Sequence, residues 1–118
     1  MDFSVIARAA GTVVKYASGN IIFTEGEPPT YMYFVLSGAV EIASHGKVIE
    51  HARAGHALGI ISLLDNKART ATARTTEDTE VAFIDAKKFR FMVEETPNFV
   101  WFVMGELVHR LRAINEVL

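Results

Sequence analysis

From Thr12 to Asp85 the chain never holds one periodicity for long: short runs rich in Val, Ile, Thr, Tyr and Phe alternate with clusters of Gly, Asn, Pro and Asp. The runs Thr12–Ala17, Ile21–Thr24, Tyr31–Ser37, Ala39–Ala43, Val48–Ala54, Thr70–Thr76 and Thr79–Ile84 read as strands. Between them stand Ser18-Gly19-Asn20, Glu25-Gly26-Glu27-Pro28-Pro29, Ser37-Gly38, His45-Gly46, Gly55 and Glu77-Asp78, which supply the backbone angles of tight turns. Ser44-His45-Gly46-Lys47 is short enough for a hairpin, with Gly46 available for a positive φ. Short, evenly spaced strands with no long helices between them imply an antiparallel sandwich, barrel or jelly roll. One interval departs from this pattern: Gly59-Ile60-Ile61-Ser62-Leu63-Leu64 reads as a turn or two of helix opened by a glycine.

Both ends are helical. The first ten residues predict a short helix ended by Ala10-Gly11. After the strands, Asp85 caps a helix over Ala86–Glu95, and Thr96-Pro97 supplies an N-cap and a first-turn proline for a last helix reaching Leu118. On that helix Val100, Met104, Leu107, Leu111, Ile114 and Leu118 alternate in steps of four and three, the spacing of an a/d seam. Phe99, Phe102, Val103 and Val108 form a second apolar set, expected to pack on the strands. Either one chain buries both faces, or two copies pack along the seam as a parallel homodimer. The parallel homodimer is the expectation. At 118 residues the chain is expected to be a single domain over 1–118, with the β-roll over about 12–85 and the C-terminal helices over about 86–118.

Composition removes several classes of function. Half of the residues are hydrophobic and 22% are charged, a globular balance. A net charge of −2 gives no basic field for direct nucleic-acid binding. Without cysteine there is no disulfide, thiolate metal site or cysteine nucleophile. Met1-Asp2-Phe3-Ser4 does not open a signal peptide, and the apolar stretch Phe99–Met104 is too short to span a bilayer, so a cytoplasmic chain with no membrane partner is expected. His45, His51, His56 and His109 are scattered, with no His-x-His pair, and read as solvated or loop histidines, so no metal site is expected. Ser4, Ser37 and Ser62 lack a base in a motif, and Glu94-Glu95 read as solvated carboxylates at a helix end. Tyr31, Tyr33, Phe34, Phe89, Phe91 and Trp101 follow strand or helix spacing and read mostly as core. No catalytic residue is assigned, and the chain reads as a non-enzyme needing no cofactor.

The informative segment runs from Ala57 to Ala73. A glycine-opened short helix presents free N–H groups to an anion, and Arg69 enters the next strand with a fork of donors suited to phosphate. This segment resembles the phosphate-binding cassette of cyclic-nucleotide-binding domains, of the form Gly-Glu-x-x-Leu-Leu…Arg-[Ser/Thr/Ala]-Ala-Thr. Gly19–Pro28 resembles the family's first turn, Tyr33–Ile42 its central hairpin, Gly55–Gly59 the lead-in to the cassette, and Thr79–Asp85 the closing strand. The likeness covers roughly residues 12 to 118 in the family's order. It implies a mainly β fold with flanking helices: an antiparallel jelly-roll-type β-roll with a short cassette helix and a long C-terminal helix.

It also implies a ligand, cAMP or cGMP. Arg69 would pair with its phosphate, Thr70 and Ala71 would offer further donors, and the N–H groups of Gly59, Ile60, Ile61 and Ser62 would complete the cradle. Threonine after the arginine is associated in the family with syn guanine, a hint toward cGMP. Arg110 or Ile114 would be the lid contact over the base. The departure is Ile60, which stands where the family has a glutamate that accepts the ribose 2′-OH. An unsatisfied buried hydroxyl costs about 1–3 kcal/mol, roughly 10- to 100-fold in affinity. The functional expectation is therefore a stand-alone sensor module that binds cyclic nucleotide weakly. The alternatives are a ligand-free dimeric interaction module, with Arg69 only closing the cassette, and a truncated transcription regulator without its helix-turn-helix.

Overall fold

The computed structural model describes residues 3–117. The element order is α1 (Ser4–Ala10), β1 (Thr12–Tyr16), β2 (Ile21–Phe23), β3 (Tyr31–Ser37), β4 (Ala39–Ser44), β5 (Lys47–Arg53), β6 (Ala57–Leu58), α2 (Ile60–Asp65), β7 (Thr72–Thr75), β8 (Thr79–Asp85), α3 (Ala86–Glu95) and α4 (Pro97–Val117). The strands form two four-stranded antiparallel sheets, β1-β8-β3-β6 and β2-β7-β4-β5. Strand 1 pairs with 8, 2 with 7, 3 with 6 and 4 with 5, so the roll is one long hairpin wound on itself around the β4–β5 turn. At that turn His45 and Gly46 both have positive φ, 52° and 77°, matching the right-handed twist of the flanking strands.

The sequence Tyr31–Ser37 lacks polar alternation because β3 is buried on both sides. Met32 and Phe34 join Phe3, Ala82, Ile84, Phe89, Met92, Phe99 and Val103 in a core beneath the helices. Tyr33 and Val35 turn the other way, into the roll interior, with Phe23, Val40, Ile42, Leu58 and Val81. Asp85 caps α3 as expected, its carboxylate accepting from the Lys88 N–H at 2.7 Å.

Three local differences follow from tertiary contacts. β6 is absent from the sequence reading because two residues carry no period; pairing of Tyr33 and Phe34 with Leu58 and Ala57 defines it. β7 starts at Thr72, not Thr70, because the Arg69 backbone bonds the Gly26–Glu27 loop instead of a strand, at 2.8 and 2.9 Å. On α4, Phe99 and Val103 are buried and Phe102 packs on Phe3 and Phe34, but Val108 is 53% exposed, more than a helical turn beyond Val103 and off the inner face. Phe91 and Trp101, read as core, are exposed as well. No helix among the described residues is long and apolar enough to cross a membrane.

Candidate functional site

Arg69 is 4% exposed, yet none of the ion pairs among the described residues involves it. Its Nη1 donates to the Gly59 carbonyl at 3.0 Å and its Nη2 to the Tyr31 carbonyl. The guanidinium carbon lies 4.4 Å from the centre of the Phe23 ring, a cation–π contact. Nε is buried and has no hydrogen-bond partner. Burial lowers the Arg69 pKa from its ordinary value, an effect partly offset by Tyr33 and Glu27. A cation is thus stored in the interior with a spare donor and no counterion.

The local sequence dictates this placement. Gly59 has φ +80°, and a Cβ there would land on Arg69 Nη1, so glycine is required both for the turn into α2 and for the approach of the guanidinium. Gly59, Ile61, Ser62, Arg69, Thr70 and Ala71 line one cavity with Phe23, of about 20 Å³. Ser62 is buried and donates weakly to the Ala68 carbonyl at 3.4 Å. Ile60 does not line this cavity. Its side chain is buried in the helix-side core and faces Leu107 and Arg110.

Both candidate lid residues come from α4, and each covers a different space. Arg110 lines the cassette cavity itself. Ile114 and Val117 wall a second cavity of about 390 Å³, opposite Ile49 and the Ser44–Lys47 hairpin, with Thr70 common to both. Lys47 Nζ reaches the Val117 carbonyl at 2.8 Å across its end. Of the seam residues, Leu107 packs against the helix-side core and Ile114 lines this cavity, while Met104 and Leu111 are exposed. Val100 is half-buried, and Leu118 lies outside the described residues.

A polar clasp fixes α4 over the site. The Arg110 guanidinium is ion-paired with Glu50 of β5 and donates to the Ala57 carbonyl at 3.2 Å. His109 Nε2 contacts the other Glu50 oxygen at 3.2 Å. Glu106 accepts from the Ala57 N–H at 2.6 Å and meets His56 Nδ1 at 3.1 Å. The His56 and His109 rings stack, centroids 4.9 Å apart. Burial lowers the Arg110 pKa to about 10, which leaves it protonated at neutral pH. The sequence reading missed Glu50 and Glu106 and treated His56 and His109 as simple loop and solvent residues. The available signal was Glu106 and Arg110 at i, i+4, ordinarily a surface pair; here that face points inward.

A buried, uncountered arginine beside a glycine-opened helix, at the end of a jelly roll and under a C-terminal helix, is the arrangement that the cassette resemblance implied. The cyclic nucleotide-binding domain family model matches residues 13–96. The chain belongs to this family. It is 30% identical over 104 residues to the cAMP-activated global transcriptional regulator of Haemophilus influenzae, covering 83% of this chain and 46% of that protein. It is 36% identical over 76 residues to a cGMP-dependent protein kinase of Eimeria tenella, covering 64% of this chain and 8% of the kinase. The catabolite activator protein of Thermus thermophilus superposes with a TM-score of 0.81 at 26% identity, covering 95% of this chain and 55% of that one. The chain thus spans about half or less of the curated relatives it matches. The family's matched unit is a binding domain, not a catalytic one, and its ligand class is a small cyclic nucleotide.

Proposed function

We propose that the chain is a non-catalytic sensor module of the cytoplasm that binds cAMP or cGMP, with the phosphate on Arg69. The observation that carries this reading is the Arg69 guanidinium, buried without a carboxylate and with Nε unpartnered. A buried donor left unmade costs about 1–3 kcal/mol, and an anionic oxygen at Nε recovers that cost with a charge-assisted bond. Gly59, Ile61, Ser62, Thr70 and Ala71 would surround the phosphate. The base would lie in the adjoining cavity, against Ile49, Ile114 and Thr70; about 390 Å³ is within the range of small-molecule sites.

The cassette cavity of about 20 Å³ holds roughly one water, so ligand entry requires α4 to move. Arg110 is the group in the way, held by Glu50. Ligand binding and the position of α4 are therefore one equilibrium, and a nucleotide shifts it by its differential affinity for the open and closed forms. Saturating cAMP or cGMP at a hundredfold its Kd adds about 2.7 kcal/mol, a rise in Tm of roughly ten degrees. A thermal-shift titration followed by calorimetry on the chain and on Arg69→Ala tests this; no saturable, Arg69-dependent effect at millimolar nucleotide defeats the proposal.

The closed cavity also supports a second reading: an interaction module that keeps the fold and works through α4 as a homodimer. Trp101, Met104, Val108 and Leu111 leave an apolar stripe in solvent on that helix. The same titration separates the two, because a module of this kind shows self-association and no nucleotide response.

A further inference from the structure

With α4 in place the cassette cavity is too small for a nucleotide, yet its wall carries a positive charge that the closed form leaves unbalanced. Arg69 is 4% exposed, with Phe23 against its guanidinium and with Nε buried and unpartnered. Its two Nη groups are engaged by the Gly59 and Tyr31 carbonyls, which are neutral. The second guanidinium on the cavity, that of Arg110, is paired with Glu50, whose other oxygen meets His109. No carboxylate lines the cavity. Glu27 raises the Arg69 pKa, but it is exposed and forms no ion pair with it among the described residues. A buried cation in this state calls for a bound counterion.

The space fits a single atom. Its volume of about 20 Å³ exceeds the roughly 10–15 Å³ that one water needs, and it excludes a polyatomic anion. A water at Nε would complete the hydrogen bond and leave the charge, whereas a monatomic anion completes both. The lining suits a large, weakly hydrated ion: Phe23, Ile42, Ile61 and Ala71 are apolar, and Ser62 and Thr70 bring hydroxyls that can donate. We propose that the closed cassette cavity is a halide site, in which one chloride ion sits on Arg69 Nε and stabilises the form that a nucleotide must open. Unlike a nucleotide, the ion fits with α4 where it is. Chloride and nucleotide then compete for Arg69; that competition, though not the chloride site itself, rests on the cyclic-nucleotide reading above.

The test follows thermal unfolding of the whole chain at fixed ionic strength while gluconate, too large for the cavity, is replaced by chloride. The Tm is expected to rise saturably, by roughly five degrees at ten times the chloride Kd, and not to rise in Arg69→Gln. Circular dichroism reports whether that variant is folded. Independently of it, crystals of the unaltered chain grown in bromide are expected to show an anomalous peak within hydrogen-bond distance of Arg69 Nε. A Tm indifferent to chloride, a rise that persists in folded Arg69→Gln, or bromide at the surface alone (an adventitious ion only) overturns the inference and leaves the cyclic-nucleotide reading standing. Calorimetry with cAMP and cGMP in the two salts separates the two claims. The apparent nucleotide Kd is expected to be about tenfold weaker at ten times the chloride Kd, and an unchanged constant overturns the placement of chloride on Arg69. No saturable nucleotide heat in either salt defeats the cyclic-nucleotide reading, while the chloride site stands or falls on the unfolding and bromide results.

Discussion

At Gly59 two constraints meet. The residue has φ +80°, and the volume where a Cβ would project is filled by the Arg69 guanidinium. Gly59→Ala is therefore expected to lower stability by about 1–3 kcal/mol, from the left-handed backbone and from displacing a buried cation. Chemical denaturation measures this, and an unchanged midpoint contradicts it. The neighbouring residue behaves differently. Ile60 is buried in the helix-side core and not in the cavity, so Ile60→Ala is expected to cost about 2–4 kcal/mol while leaving the relative affinity for nucleotides unchanged. A change in nucleotide preference in that variant would place Ile60 in the site after all. Gly59, Arg69 and Thr70 were legible in the sequence because each stands at a motif position. The engagement of Arg69 with the Gly59 and Tyr31 carbonyls was not, since it joins residues far apart in the chain.

At the scale of elements, the strands were legible wherever turn residues bound them, and β3 wherever burial on both faces suppressed alternation. The two-residue β6 was not, because its existence depends on β3. The inner face of α4 was misjudged for a related reason. Phe99, Phe102, Val103 and Val108 were assigned inward, with Arg110 or Ile114 as the lid, yet Val108 is exposed and Glu106 points into the protein because the Ala57 N–H is there to receive it, while Arg110 is held by Glu50 and the Ala57 carbonyl. The Glu50 side chain is 7% exposed and that of Arg110 16%, so the pair is largely desolvated. Breaking a buried pair from one side leaves an uncompensated charge, and Glu50→Gln is expected to cost about 3 kcal/mol. The loss should appear first as faster amide exchange in α4, the element the clasp holds. A Glu50→Gln protein with unchanged exchange along α4 would remove the clasp from the account.

For the molecule as a whole, the question is what covers the outer face of α4. Trp101, Met104, Val108 and Leu111 are 68%, 47%, 53% and 59% exposed, and their spacing of three, four and three residues is that of a coiled-coil seam. The seam differs from the one drawn from sequence, because Leu107 and Ile114 belong to the inner face. Gly105 lies on the exposed side of the same helix with nothing within 4 Å of where its Cβ would be, which leaves room for a second backbone to approach closely. A lone chain gains nothing from this face, whereas a second copy presenting the same stripe buries it symmetrically. The seam is short, so the helix pair alone would be marginal and the folded domains must hold α4 in place for it. Val108→Glu is therefore expected to halve the sedimenting mass at tens of micromolar, about the concentration where a weak symmetric pair is populated, with little change in strand circular dichroism. If the unaltered chain already sediments as a monomer at that concentration, α4 does not join two copies, and the exposed stripe must serve a different partner.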